Sequence, residues 1–459
     1  MSSLSLSLSL SLSVSDALAR AAAHEPMLQA WAHLASPASL VNRGAAGVLV
    51  PGADIECADP AAAFLADSAA PKAESDLSEW PIGVKDIIDV AGMPTRCGSA
   101  ACDDLPASFD ATCVALLRAA GCVPIGKTVT TEFAYVTPGP TRNPANLAHT
   151  PGGSSSGSAA VVAASQVRLA LGTQTGGSMI RPAAFCGVVG FKPTHGVVPR
   201  GGMVVACESL DVIGWYTRDV DDAAAAGRVL LPSIADRHEQ SADRSSVLAQ
   251  CRIGFLAGHP GHDLDDEASM TLDAALSMLH NAGLHSSPVL HDAFPVQQLL
   301  AAHHTLMHYE FARSLLPVVQ RHGDRLSQRL REAVTRGLGM PGDRYTAARR
   351  FQADARLCWG AWFGDADLIL ASSVLGPAPK GLAHTGDSGF NKGWSVLGWP
   401  CIHLPTGYSR DGLPLGVMLV GPPGADHALL AYAAALHPLI DTRPALSSPR
   451  LDPLLEHLA

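Results

Sequence analysis

One stretch of this chain is suited to presenting backbone amides rather than to packing. From Pro151 to Arg181 the sequence reads PGGSSSGSAA, then a small-residue helical run, then LGTQTGGSMIR, a concentration of Gly, Ser and Thr seen nowhere else in the chain. Glycine is entropically costly to fix and adds little to a core, so such a stretch predicts a site. Ser178 is the serine best set to act as a nucleophile. Gly176 and Gly177 before it let successive N–H groups turn toward one spot, where they would hold a developing oxyanion. A plain glycine-rich turn would give the same letters. A serine hydroxyl also needs a base, and no Ser/His/Asp set stands at an interpretable spacing. Lys85 is the alternative, as the single lysine in the largely apolar PIGVKDIIDV of residues 81–90. Desolvation there would disfavour the ammonium and make a neutral amine available near neutral pH. A strand lysine more often carries its head out to solvent, so neither residue stands alone.

Three other patterns promise chemistry that their surroundings do not support. Gly121 to Thr128, GCVPIGKT, fits the phosphate loop of ATPases, which needs a strand before it and a helix after. Here Thr112 to Ala120 is helical, Gly121 fits a helix stop, and Val123 to Thr131 is strand-like, so Lys127 reads as structural or site-lining. Gly153 to Gly157, GSSSG, fits a hydrolase nucleophile elbow at Ser155, which must end a buried strand. Residues 142–151, with two prolines, two asparagines and a histidine, are loop chemistry instead. His304 and His308 share a helical face with His303 and Glu310 nearby, yet no third ligand follows at a diagnostic spacing. No metal and no cofactor is expected.

The elements that must hold these residues are α/β in rhythm. Apolar runs at Ile82 to Val84, Val123 to Ile125 and Val188 to Phe191 alternate with helical stretches at Thr112 to Ala120, Ser158 to Ser165 and Asp221 to Leu231. Asp16 to Leu34 reads as one helix, and Gln298 to Trp359 as a long helical region. Leu368 to Leu370, Cys401 to Leu404 and Leu415 to Val420 return as strands. Residues 2–15 alternate Ser and Leu, a low-complexity arm without the basic start of a secretory signal. Residues 37–78 read as a loose connection, and 236–248 as a polar surface crossing. At 459 residues with no dividing linker, residues 16–459 are expected to form one large domain.

Composition narrows the function. With 47% hydrophobic and 16% charged residues the chain is a packed globular protein and not a disordered one. Its net charge of −10 argues against nucleic acid and anionic membranes as partners. The ten cysteines are scattered without metal-finger spacing, as in a reducing, cytoplasmic compartment. No run is long and apolar enough to span a membrane.

Five ordered strings, WPIGVKDIIDVAGMPTRCGS, GKTVTTEFAY, TPGGSSSGSAA, GTQTGGSMIRPAAFCGVVGFKPTHG and SLDVIGWYTRDVDDAA, resemble the amidase signature family. A weaker block, GFNKGWSVLGWPCIHLPTGYSRDGLPLGVMLVGPPG, follows near the C-terminus. Dense similarity covers about residues 80–222 and 388–424. The resemblance implies a single large mixed β-sheet flanked by helices on both faces. It implies that Ser178 attacks an amide carbonyl, that Lys85 is the ultimate base, and that Ser154, after a cis peptide bond, relays the proton between them. Thr175, Gly176, Gly177 and Ser178 would supply the oxyanion N–H groups, and hydrolysis would pass through an acyl-enzyme on Ser178. Many family members carry Asp where this chain has Gln174; the Gln form is similar to malonamidase-type hydrolases of small amides. Arg181 would either pair with a substrate carboxylate or serve as a scaffold arginine.

The function expected on this basis is hydrolysis of a small-molecule carboxamide, by a homodimer if relatives are a guide. The pocket would be lined by residues 298–359 and by a loop at 377–393. The alternative is the amidase component of a tRNA-dependent amidotransferase complex, against which the acidic charge, Gln174 and the lack of a basic patch weigh. A silent scaffold is disfavoured by the intact Lys85, Ser154 and Ser178.

Overall fold

The computed structural model describes residues 12–36, 77–232, 244–249, 251–258, 263–289 and 295–444. The Ser/Leu arm up to residue 11, the connection at 37–76 and most of the 236–248 crossing lie outside them. Among the described residues, one sheet of 11 strands runs through the molecule. Its strands are β1 (Trp31–Leu34), β2 (Pro81–Lys85), β3 (Val123–Thr128), β4 (Leu169–Gln174), β5 (Val189–Lys192), β6 (Val212–Thr217), β7 (Ile253–Leu256), β8 (Ser286–Pro288), β9 (Leu368–Ser372), β10 (Cys401–Tyr408) and β11 (Pro414–Val420). They lie in the order β1-β3-β2-β4-β6-β5-β10-β11-β9-β7-β8. The sheet is mixed, as expected, with helices on both faces. β2 is parallel to β3 and β4, and β7 is parallel to β8 and β9, while the remaining pairs are antiparallel.

This topology places the chemistry. In open sheets, sites gather beyond the carboxyl ends of parallel strands. Lys85 is the last residue of β2, and Gln174 the last of β4, so β2 and β4 deliver both segments to one end of the sheet. β2 and β4 are buried along their whole length, which gives continuous apolar or small-residue runs rather than alternation.

Helix Ser156–Ala163 follows the serine-rich loop, and Ser156 to Val162 are all buried. Its small side chains allow close approach. A Cβ on Gly157 would stand 2.4 Å from the Ala30 carbonyl oxygen and 2.4 Å from the Val129 nitrogen, so that position accepts no side chain. Gly152 turns the preceding loop at φ +82, in the left-handed region that glycine enters freely.

Several expected elements differ. The Asp16 to Leu34 helix ends at Leu28, with Gln29 at φ 50, and residues 31–34 become the edge strand β1. Glu25 accounts for the break, since its carboxylate accepts from the amides of Ala30 and Trp31 and holds the chain out of helical register. The Gln298 to Trp359 region is a series of helices, Val296–Ser314, Leu316–His322, Gln328–Leu338, Gly342–Leu357 and Trp359–Phe363, interrupted where Pro317, Gly323 and Pro341 fall. The loop expected at 377–393 turns helical at Gly389, and helix Gly389–Leu397 buries Phe390, Trp394, Val396 and Leu397.

Candidate active site

Lys85 is fully buried, and its Nζ sits among three hydroxyls, 2.7 Å from Ser154 Oγ, 2.9 Å from Ser155 Oγ and 2.7 Å from Thr173 Oγ1. Burial pulls its pKa from the ordinary 10.5 down to about 7, and the charge of Asp211 pushes weakly the other way. A neutral amine here can donate two of these hydrogen bonds and accept the third from Ser154, which makes it a competent base.

Ser154 follows a cis peptide bond from Gly153 and is buried. Its loop is clamped on both sides. The Ser154 carbonyl accepts from the Thr131 amide at 3.3 Å, and Arg181 Nη2 donates to the Gly153 carbonyl at 2.6 Å and to Thr385 Oγ1 at 3.1 Å. Arg181 is itself buried, its Nε finds no acceptor, and burial lowers its pKa to about 10. Its Nη2 is thus spent on the loop that carries Ser154, the contact a scaffold arginine makes. Ser155 is occupied too, donating to the Thr173 carbonyl at 3.1 Å and accepting from its amide at 3.2 Å.

The turn from Thr175 to Ser178 has its carbonyls tied outward. His303 Nε2 donates to Thr175 O at 3.1 Å, Ser395 Oγ to Gly176 O at 2.8 Å, and Tyr216 Oη to Ser178 O at 3.0 Å. Gln174 closes the turn from below. Its Oε1 accepts from the amides of Met179 and Ile180 at 2.9 and 3.2 Å, and its Nε2 donates to Ser395 at 3.1 Å. Thr175 Oγ1 donates to Asp211 at 2.6 Å, whose other oxygen accepts from the amides of Ala206 and Cys207. Among the described residues, the amides of Gly176, Gly177 and Ser178 donate to no acceptor. A carbonyl fixed on one side leaves the adjoining N–H groups aimed at the other, the requirement for an oxyanion cradle. Ser178 lies in the turn two residues before helix Ile180–Cys186 and is 8% exposed, so solvent reaches it only narrowly.

Sequence reasoning missed Thr173, Asp211, His303 and Ser395. Thr173 stands inside GTQTGGS, two residues before Thr175, and alternation along a strand gives a signal for it. His303 belongs to the histidine cluster weighed for a metal, but its ring hydrogen-bonds the Ser178 turn. Burial, reinforced by Lys392, drops its pKa to about 3, so it stays neutral. The Gly121 to Thr128 pattern is a helix, turn and strand, as its order implied. Lys127 there meets Asp86 at 3.2 Å, both buried. Burial lowers the pKa of Lys127 and raises that of Asp86.

Comparison with known proteins bears on this arrangement. The Amidase family profile matches residues 54–430. The A-type subunit of the glutamyl-tRNA(Gln) amidotransferase of Koribacter versatilis (strain Ellin345) is 32% identical over 393 residues, 75% of this chain and 80% of that protein. Among solved structures, an amidase aligns at a TM-score of 0.76 with 27% identity, covering 93% of this chain and 95% of its own. The corresponding glutamyl-tRNA(Gln) amidotransferase protein from Thermotoga maritima aligns at 0.71 with 25% identity, covering 94% and 95%. These amidotransferase relatives overturn the expectation of a small-molecule partner alone, with nucleic acid excluded. The charge of −10 describes the average field of one chain, and one component of an assembly need not carry the assembly's RNA contacts itself. No helix among the described residues is long and apolar enough to cross a membrane.

Proposed function

Because this chain belongs to the amidase signature family, we propose that it hydrolyses a carboxamide through Lys85, Ser154 and Ser178. The observation that carries the reading is a fully buried lysine, with a pKa of about 7, hydrogen-bonded at 2.7 Å to the Ser154 hydroxyl. Lys85 takes a proton from Ser154, Ser154 takes one from Ser178, and Ser178 Oγ attacks the carbonyl carbon. The resulting oxyanion is met by the N–H groups of the Thr175 to Ser178 turn, an interaction worth several kcal/mol in comparable sites. The C–N bond breaks as the nitrogen receives a proton through Ser154, releasing ammonia or an amine. Water then attacks the acyl-Ser178 ester and frees the carboxylate.

As physiological setting we propose the amidase component of a tRNA-dependent amidotransferase complex, supported by the amidotransferase relatives. Moving an amide nitrogen to a new acceptor begins by breaking the donor amide, the half-reaction this site suits. A free-standing small-amide hydrolase is the second reading, favoured by the 0.76 TM-score with an amidase. The described cysteines are free thiols, which supports a reducing, cytoplasmic location under either. The test is ammonia release by the purified full chain from L-glutamine and from simple amides, alone and with candidate partner proteins and glutamyl-tRNA(Gln). Turnover that rises with partners supports the amidotransferase reading, and full turnover alone supports the second. No ammonia and no acyl-Ser178 under any condition overturns both.

A further inference from the structure

We propose that Lys392 reads an anionic group on the substrate, so that the preferred amides carry a carboxylate within reach of the Gly176 side of the turn. This deepens the amide-hydrolase reading above and rests on it. Helix Gly389–Leu397 lies along the nucleophile turn. Ser395 holds Gly176 O at 2.8 Å, Asn391 Cβ lies 3.2 Å from where a Gly177 Cβ would be, and Lys392 Cγ lies 3.8 Å from where a Gly176 Cβ would be. The Lys392 stem therefore runs beside the residues whose amides face the reacting carbonyl.

Its ammonium has no acidic partner among the described residues. Lys392 is half-buried, with its stem against the turn. The neighbours on the histidine side add positive field. Lys392 disfavours protonation of His303, His304 and His308, and Arg344 and Arg336 act on His304 in the same sense. The nearby acids are engaged elsewhere, Asp211 with Thr175, Glu310 with Tyr345 and the Ser209 amide, and Asp387 with the Gly389 amide and the charge of Arg181. Arg181, the other cation at the site, spends its Nη2 on Gly153 and Thr385. A cation without an acidic partner beside a catalytic turn is the arrangement that selects a carboxylate over a neutral isostere.

The experiment pairs succinamate, an amide with a carboxylate, with succinamide, its neutral counterpart. The kcat/KM ratio of the two is measured in the full-length protein and in Lys392→Met, Lys392→Arg and Arg181→Met. The ratio is expected to favour succinamate, to fall about tenfold or more in Lys392→Met, the size of a lost charge-assisted contact, and to recover in Lys392→Arg. A ratio near one in the unmodified protein, or one unchanged by Lys392→Met, overturns the proposal. Loss of the preference in Arg181→Met alone assigns the carboxylate to Arg181 and also overturns it. Calorimetric binding of succinamate to Ser178→Ala, with and without Lys392→Met, reads the same contact without turnover. Should no amide be hydrolysed, that binding difference still decides the role of Lys392, while the hydrolase reading fails on its own.

Discussion

The pH dependence of turnover is where the buried lysine makes its strongest commitment. Lys85 is completely enclosed, and bringing its pKa from 10.5 to about 7 means its surroundings disfavour the ammonium by about 5 kcal/mol. At pH 7 about half of the molecules then hold a neutral amine, against about one in three thousand for an ordinary lysine. The sign follows directly, because the working form is the unprotonated one. kcat/KM should be level above pH 8 and fall about tenfold for each pH unit below 7. The assay is ammonia release from an amide that does not titrate between pH 5 and 9. Asp211→Asn gives a second reading of the same group. The Asp211 charge raises the Lys85 pKa, so its removal should move the midpoint to lower pH. Lys85→Met should lose the ionisation altogether, with a rate at least about a thousandfold lower. A flat profile through pH 7 in the unmodified protein would refute the reasoning, as would a midpoint near that of a solvated lysine.

Three further outcomes follow from the geometry. Ser178→Ala should abolish turnover, and Ser154→Ala should lower kcat by several orders of magnitude, both with an unchanged thermal midpoint; a large fall in that midpoint would make either residue structural. Gln174→Leu orphans the buried amides of Met179 and Ile180, at about 1 to 3 kcal/mol each, and should lower kcat more than it raises KM. Gln174→Glu, which keeps the acceptor, should recover much of the loss in steady-state kinetics. Lys127→Met removes the buried ion-pair partner of Asp86 and should cost about 3 to 5 kcal/mol in urea unfolding; replacing Asp86 with Leu as well should restore part of it.

Legibility in the sequence followed the range of the interactions. The apolar runs of β2 and β3 and the Gly/Ser/Thr concentration are local signals, and they point to Lys85 and Ser178 within their segments, whereas Ser154 follows only from the family resemblance. β4 was not legible as a strand, because LALGTQ merges into the glycine-rich turn and has no polar face to alternate with. β6 went unassigned for a related reason: VIGWYT is buried throughout, so periodicity had nothing to mark. The pairing of β2 with β4, which sets Thr173 on Lys85, joins residues 88 positions apart. The approach of His303 to Thr175 spans 128 positions, and no local pattern encodes that meeting. Arg181 shows the limit from the other side, since its residue type suits both a carboxylate and a carbonyl, and only the fold supplies the Gly153 carbonyl.

The central claim is that Ser178, and not Ser155, whose hydroxyl hydrogen-bonds Lys85, forms the covalent intermediate. The most direct measurement treats the full-length protein with a fluorophosphonate, which phosphonylates activated serines, and maps the labelled peptide by mass spectrometry. Label on Ser178, lost in Lys85→Met, is the predicted result. Label on Ser155, or equal labelling of Ser178 without the lysine, would contradict the account.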